Sequence, residues 1–245
     1  MRFKKYRDRN KLFVIEGDKL VSEFLAGGKK VRQLLALPEW IEKIDKDLLS
    51  GAGEIITVSE RELKKISLLK TPNDALAIVD IEEYRPDTAS LAGKLNIALD
   101  NIQDPANLGS IMRIAAWFGI EDIICSHGTV DVYNPKTVQS SMGAFLHVNV
   151  TYADLTHIIP ELVKGGTPVY AATLDGENVF EIKKSAKGLL LFGNESKGIS
   201  AAILKYAAHK ISIAPAREAL PGIDSLNVAM SAAIICSVFR EGKHD

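Results

Sequence analysis

The chain has 245 residues, of which 47% are hydrophobic and 25% are charged. This length and composition predict a globular protein with one large domain or two modest ones, each with its own core. Thirty basic side chains and thirty-one acidic ones nearly cancel, which excludes a protein that binds polyanions over its whole surface. Any affinity for nucleic acid must therefore be local.

The two cysteines, Cys125 and Cys236, are far apart and belong to no CxxC motif. We therefore predict neither a disulfide framework nor a zinc site, and a reducing cytoplasm fits. The five histidines show no ligand spacing, so we assign no metal. The amino terminus has no apolar signal-peptide core, and no window approaches the ~20 apolar residues of a membrane helix. We expect a cytoplasmic protein without a membrane partner.

The first residues form a basic arm, residues 2–11. Six basic residues surround Asp8 in this arm: Arg2, Lys4, Lys5, Arg7, Arg9 and Lys11. Tyr6 lies among them. Such an arm can lie along phosphates and stack on a base, but terminal charge runs are often only solvated. The sequence leaves both interpretations open.

Residues 12–80 alternate short apolar runs with helix-like segments. The predicted strands are "LFVI", "VRQLLAL", "EIITV" and "ALAIV", and the predicted helices begin near Asp18, Glu39 and Ser59. Asp18 is the expected N-cap of the first, and Glu62 stands at capping-box spacing from Ser59. This rhythm predicts a small α/β/α unit over residues 1–84, followed by a polar, proline-containing linker at 82–94.

A second α/β rhythm fills residues 95–245. The predicted strands are "LNIALD", "DIICS", "HVNVT", "PVYAAT", "GLLLF" and "HKISIA", and helices are predicted near Asn107, Asn134, Ala153, Ser200 and Ser225. Strands this apolar are typical of a mostly parallel sheet covered by helices. Ligands of such sheets bind beyond the carboxyl ends of the strands. The informative loops should follow Leu99, Thr173, Phe192 and Ile213.

Three polar loops of this second part carry candidate site residues. In "LDNIQDPANLGSIMRIAAWFGI", Asn107 starts a helix and Arg113 lies off its apolar stripe. Taken alone, an ordinary surface ion pair would explain the arginine and a helix cap the asparagine. In "LLLFGNESKGIS", Glu195 follows a buried strand, and in "GIDSLNVAMSAA" Ser225 can be the N-cap of a helix rich in small residues. No GxGxxG and no P-loop occur, which disfavours a nicotinamide dehydrogenase.

Together the three loops resemble the ordered motifs of the SpoU, or TrmH-like, RNA ribose 2'-O-methyltransferases. The matching patterns are NxGxxxR from Asn107 to Arg113, GNExxG from Gly193 to Gly198, and SLNV from Ser225. The stretch "KYRDRNKLFVIEGDKLVSEFL" is similar to that family's amino-terminal RNA substrate-binding domain.

The resemblance implies an α/β fold with two domains. A carboxyl-terminal trefoil-knot methyltransferase domain of the SPOUT superfamily would follow a smaller, ribosomal-protein-like RNA-binding domain. The family binds S-adenosylmethionine in the knot and works as a homodimer with its active site at the subunit interface. By motif position, Gly193, Ile213 and Leu226 correspond to cofactor contacts, with Thr173 a weaker candidate.

The resemblance also implies the chemistry, which is attack by a ribose 2'-hydroxyl on a sulfonium methyl group. Arg113 matches the family's proposed base, although a guanidinium is normally a donor only. Two accounts stay open: Arg113 accepts the proton, or it orients the phosphate and ribose while another group takes it. Four more residues match polar active-site positions as orienting groups: Asn107, Glu195, Ser225 and Asn227.

The resemblance favours ribosomal RNA over transfer RNA as the substrate, because a separate RNA-binding unit suits the larger target. A non-catalytic RNA-binding or assembly factor on the same fold is the alternative of another class. The alignment is weakest at Ile213, where Ala214 separates the isoleucine from Pro215. In the extension that follows, Arg217 and Glu218 can tune the choice of RNA or simply be solvated.

Overall fold

The computed structural model describes residues 1–82, 84, 86–215 and 224–241. Arg217 and Glu218, singled out above, lie outside the described residues. The chain divides into two compact units: Met1–Glu83 with Asp131–Leu146, and Tyr84–Val130 with His147–Asp245. The sequence assigned residues 131–146 to the second domain, whereas their contacts group them with the amino-terminal unit.

The amino-terminal part alternates helices and strands as predicted, with two additions. Its α-helices and strands are α1 (Lys4–Asn10), β1 (Leu12–Glu16), α2 (Asp18–Ala26), β2 (Val31–Ala36), α3 (Pro38–Lys43), β3 (Ala52–Thr57), α4 (Glu60–Ile66) and β4 (Ala75–Asp80). One addition is a 3-10 helix at Leu48–Gly51. The other is α1, which forms within the basic arm. It has no apolar stripe that could have predicted it, because its buried residue is Arg7.

The amino-terminal sheet is mixed, in the order β1-β4-β2-β3. Only β2 and β3 pair in parallel, while β4 is antiparallel to both of its neighbours. Its core includes Phe13, Phe24 and Trp40. The rings of Tyr133 and Phe145 lie 4.6 and 5.9 Å from that of Phe13. This aromatic packing explains why residues 131–146 belong to the amino-terminal unit.

The remaining elements are α5 (Thr88–Ala92), β5 (Leu95–Asp100), α6 (Pro105–Trp117), β6 (Asp122–Cys125), α7 (Pro135–Ser141), β7 (Asn149–Tyr152), α8 (Leu155–Lys164), β8 (Val169–Asn178), β9 (Gly188–Gly193), α9 (Ala201–Leu204), β10 (His209–Ser212) and α10 (Val228–Arg240). All six predicted strands are present. The short helix α5 lies inside the segment that the sequence marked as a linker.

The six-stranded sheet of the second unit has the order β10-β8-β9-β5-β6-β7, and every pair is parallel. All six residues of β5 and five of six in β9 are buried. The predicted α/β class with a mostly parallel sheet is thereby confirmed. Because the strands are parallel, the loops after β5, β9 and β10 emerge at the same edge, where ligands of such sheets bind.

Three helix starts differ from the sequence prediction. Gly17, and not Asp18, is the N-cap of α2, and Asp18 is the first helical residue. Asp104 caps α6 through its side chain, which places Asn107 inside the first turn. Asn227, and not Ser225, caps α10 and accepts from the N–H groups of two following residues. By contrast, the capping box of Ser59 at α4 is confirmed.

Candidate functional site

A pocket of about 870 Å³ lies at the carboxyl edge of the parallel sheet, within the second unit. It is formed by the ends of β8, β9 and β10 and by the start of α10. Six of the predicted site residues line it: Thr173, Gly193, Glu195, Ile213, Ser225 and Leu226. Its volume falls in the range of small-molecule and cofactor sites.

A break in the pairing of β8 and β10 shapes one wall of this pocket. Lys210 pairs with Ala171, but the next residue, Ile211, pairs with Glu177. The intervening residues of β8 leave the ladder, and Thr173 is among them. The hydroxyl oxygen of Thr173 is buried. Pairing of β8 with β10 resumes at Glu177. The residue before it, Gly176, must be a glycine, because a Cβ there would lie 2.5 Å from the Ile211 backbone.

The loop after β9 folds back on itself at the floor of the pocket. Asn194 and Gly198 pair through two backbone hydrogen bonds of 3.0 and 2.8 Å. The Asn194 side chain also accepts from the N–H groups of Ser196 and Lys197. Gly193 must be a glycine, since an added Cβ would lie 2.3 Å from the Gly198 carbonyl carbon. The chain is therefore packed backbone against backbone at this point.

A chain of polar side chains joins the three motif loops. The Asn107 amide donates a short hydrogen bond to the Glu195 carboxylate. The amide of Asn227 donates to the Asn107 side-chain oxygen at 3.0 Å. Because Asn227 also caps α10, its position is fixed by the helix it begins. Residues 107, 195 and 227 are far apart in sequence, and the structure brings them together.

Asp100, which belongs to none of the three motifs, supports this arrangement. It ends β5 opposite Gly193 and is 2% exposed. Its carboxylate accepts from the Ser200 N–H at 2.9 Å and from the Asn101 amide at 2.7 Å. The Asn194 amide in turn donates to the Asn101 carbonyl at 2.9 Å. A charged residue directly after the apolar run at 97–99 is the sequence signal that could have identified it.

Replacing Asp100 by alanine is expected to weaken both the fold and the pocket. The Ser200 N–H would lose its acceptor, at a cost of about 1–3 kcal/mol in the free energy of unfolding, and the loop after β9 would lose its support. Denaturant unfolding measures the effect on the fold, and calorimetric titration with S-adenosylmethionine measures the effect on the pocket. Asp122→Ala is the matched control, because Asp122 is equally buried but begins its strand. Equal losses of ligand affinity in both variants would contradict this role.

Arg113 stands apart from the pocket and from the polar chain. It is exposed on α6, and it makes no hydrogen bond or ion pair with any residue that the structure describes. One turn further along α6, Trp117 is 85% exposed. The surface ion pair that the isolated motif suggested is thus not formed within the described part of the chain. The guanidinium is free to contact a ligand.

The described residues contain no membrane-spanning helix and no metal cluster. None of their helices combines the length and the hydropathy that a membrane span needs. The same residues contain no group of three or more His, Cys, Asp or Glu side chains that could hold a metal ion.

Two family models match the chain and together cover most of it. Residues 94–237 match the SpoU rRNA Methylase family, and residues 1–77 match the MRM3-like substrate binding domain. The chain is 32% identical over 233 residues to the 23S rRNA (guanosine(2553)-2'-O)-methyltransferase RlmP of Bacillus subtilis, covering 95% of this chain and 90% of that protein.

Solved structures agree with the sequence relatives. A structure described as a putative RNA methyltransferase of the TrmH family from Porphyromonas gingivalis superposes with a TM-score of 0.87 at 32% identity, over 99% of this chain and 94% of that one. An AdoMet-bound rRNA methyltransferase from Sinorhizobium meliloti gives 0.86 at 28% identity, over 100% and 92%. The family expected from the three motifs is confirmed: the chain belongs to the SpoU rRNA methylase family.

Proposed function

We propose that the protein transfers a methyl group from S-adenosylmethionine to the 2'-hydroxyl of a specific ribose in ribosomal RNA. The observation that carries this proposal is the meeting of all three motif loops at one edge of the sheet. Asn107, Glu195 and Asn227 are joined there by hydrogen bonds, directly beside a pocket of cofactor size.

The pocket fits S-adenosylmethionine by its construction. Much of its wall is apolar or backbone, including Ile213, Leu226 and the Gly193 turn. The Gly193 turn is packed directly against the Gly198 backbone, so main-chain groups form this part of the wall. We assign Thr173, Gly193, Ile213 and Leu226 as the cofactor contacts. When bound, the cofactor supplies an electrophilic methyl group on a sulfonium.

The polar chain positions the nucleotide for in-line attack. Asn107 and Ser225 orient the ribose, while Glu195 holds Asn107 and can accept a hydrogen bond from the RNA. Asn227 fixes the start of α10 relative to Asn107. Holding the 2'-hydroxyl in line with the methyl group converts a bimolecular step into an effectively unimolecular one. These roles require the three motif loops to keep their mutual geometry.

Arg113 is assigned to orient the RNA at the reacting ribose. A guanidinium carries five N–H donors in a planar fork that matches a phosphate and has no acceptor atom. Its exposure and its lack of a partner among the described residues leave that fork available to an incoming RNA. Orientation of phosphate and ribose is therefore the better of the two accounts.

Two measurements test the proposed activity directly. Calorimetry with S-adenosylmethionine and, separately, with NAD should detect binding of the former only; absence of S-adenosylmethionine binding would contradict the proposal. Mapping of 2'-O-methyl groups in cellular RNA with and without the gene should show loss at one ribosomal position. Loss confined to transfer RNA would show that transfer RNA is the substrate. No loss at all would favour a non-catalytic assembly factor.

We further propose that two copies form a homodimer through α10 and α6. From Val228 to Phe239, α10 contains no charged residue, yet Met230 is 62% exposed and Trp117 on α6 is 85% exposed. A helix that is apolar on all sides is normally buried. A second copy of the chain would cover the exposed Met230 and Trp117 side chains. It would also bring its own Arg113 to the interface, where the active site would lie.

Met230→Lys is expected to convert the dimer to monomers, because a lysine would place its charge in an apolar interface. Sedimentation velocity at micromolar concentration measures the mass, and methyl transfer should fall with it. Val163→Lys is the control, since Val163 is also exposed but lies on α8. A fully active monomeric variant would show that the site does not need the interface.

The family resemblance leads us to propose two further properties. The methyltransferase domain contains the trefoil knot of its family, which would be an exception to the usual absence of knots. The enzyme works in the cytoplasm, where its ribosomal substrate is made. Neither metal nor membrane enters the proposed reaction.

A further inference from the structure

The exposed side of α1 concentrates positive charge and aromatic rings on the amino-terminal unit. We call Arg2, Phe3, Lys4, Lys5, Tyr6 and Arg9 the α1 surface; all six are exposed. Four are basic, and none of these four forms an ion pair with a described residue. Since the whole chain has a formal net charge of −1, this concentration of positive charge is a local property of the α1 surface.

One basic residue of the arm has a structural role instead. Arg7 is 2% exposed, and its guanidinium donates to Asp131 at 3.0 and 2.5 Å. The same group donates to the carbonyl oxygens of Met1 and Arg2, each at 2.9 Å. Every residue of this ion pair and its anchors lies in the amino-terminal unit. The arm is therefore held as a helix with a defined outer face.

The geometry of α1 sets what that outer face presents. Lys5 and Arg9 are each two positions from Arg7, about 200° around a helix of 3.6 residues per turn, so they point away from the buried side. They are four residues apart and lie one above the other. Tyr6 stands between them along the chain. Tyr6 is 43% exposed, and the Lys5 ammonium lies 4.9 Å from the centroid of its ring.

Phe3 completes an aromatic platform at the start of the helix. It is 60% exposed, and its ring centroid lies 6.3 Å from that of Tyr6 in an edge-on arrangement. Proteins that hold single-stranded nucleic acid combine basic groups along the backbone with aromatic rings on which bases stack. A duplex offers its phosphates but keeps its base faces covered. The combination on α1 thus suits an unpaired strand.

We propose that the α1 surface binds an unpaired segment of the RNA substrate, with phosphates on Lys5 and Arg9 and a base stacked on Tyr6 or Phe3. This inference rests on the proposed function, because it identifies how the same RNA is held. It gives the amino-terminal unit a specific contact with the RNA. The preference for unpaired RNA also fits sequence-specific recognition, which usually targets loops with unstacked bases.

The test measures binding of the full-length protein to a labelled oligouridylate of about 12 nucleotides, within the usual site sizes, and to an RNA duplex of the same length. The wild type should prefer the single strand. Lys5→Gln/Arg9→Gln should weaken that binding and reduce the salt slope by about 1.4, since each lost phosphate contact of a single strand removes about 0.7. Arg61→Gln/Lys65→Gln is the matched control, an exposed basic pair at the same spacing on α4.

The aromatic half of the proposal has its own variants. Tyr6→Ala should weaken binding of the single strand about 5- to 150-fold, the range for loss of one stacked base, whereas Tyr6→Phe should keep it. Circular dichroism should show all variants folded, because Arg7 and its partners are unchanged. Equal binding by the α1 and α4 double variants would overturn the proposal. Binding to phosphatidylserine vesicles, measured in parallel, gives a second contradicting outcome: the α1 variants lose vesicle binding that the wild type has, while their RNA binding stays intact.

Calorimetry with S-adenosylmethionine separates this inference from the proposed function. The α1 variants should bind the cofactor as the wild type does and should methylate ribosomal RNA with a raised KM and little change in kcat. A wild type that methylates ribosomal RNA while the α1 variants match it in KM would overturn only the α1 contact. A wild type that never methylates RNA would overturn the function itself.

Discussion

Replacing Arg113 by alanine is expected to lower kcat for methyl transfer by roughly 100-fold or more, the scale of lost positioning and proton-transfer groups. The side chain is exposed and has no partner among the described residues, so its removal should not unfold the protein. Single-turnover methylation with saturating RNA and cofactor measures the chemical step. Calorimetry should show an unchanged affinity for S-adenosylmethionine, because Arg113 does not line the pocket.

Two further variants sharpen this result. Lys164→Ala removes another exposed cation from the same unit and should leave the rate unchanged. Arg113→Lys keeps the charge but loses the planar fork, so it should recover only part of the rate if the arginine binds a phosphate with two N–H groups. A dimeric Arg113→Ala enzyme with full activity would refute the assignment of this residue to the active site.

Replacing Gly193 by alanine is expected to raise the dissociation constant for S-adenosylmethionine at least about 10-fold, equivalent to 1.4 kcal/mol. The new Cβ would lie 2.3 Å from the Gly198 carbonyl carbon and 2.4 Å from the Ile199 nitrogen. Both atoms belong to the backbone, so the loop after β9 must move. The strain should also lower the free energy of unfolding by about 1–3 kcal/mol, as overpacking does.

Gly93→Ala is the control for this substitution. Gly93 has φ −87, an ordinary value for alanine, and no atom lies within 4 Å of its added Cβ. Stability and cofactor affinity should both stay near the wild-type values. If Gly193→Ala bound the cofactor normally, the turn after β9 would not be part of the cofactor site.

The sequence by itself determined much of the architecture. All ten strands were predicted from short apolar runs bounded by turns. All six residues of β5 are buried, as expected for a strand covered on both faces of the sheet. Apolar periodicity is a local signal, so it survives without knowledge of the fold. The three motifs likewise identified the family, because each fixes residue types at set spacings and the three occur in a fixed order.

Helix ends were less well determined. Asp18, Asn107 and Ser225 are good capping residues, but Gly17, Asp104 and Asn227 take the N-cap positions. Several neighbouring residues can cap a helix equally well in isolation. The choice depends on where the preceding chain leaves the sheet. The helix α1 was missed because its stability comes from one buried arginine and not from an apolar stripe.

Only the tertiary structure decided which distant residues meet. The sequence gives no distance between Asn107, Glu195 and Asn227, and their hydrogen bonds exist because parallel strands deliver their loops to one edge. Asp100 was not predicted for the same reason. Its carboxylate accepts a hydrogen bond from the N–H group of Ser200, which is 100 residues away in the sequence. Arg7 shows the converse: among six basic residues of one arm, the fold buries a single one against Asp131, while the other five are exposed. A charge pattern cannot make that distinction, because burial is a property of contacts between segments that are remote in sequence.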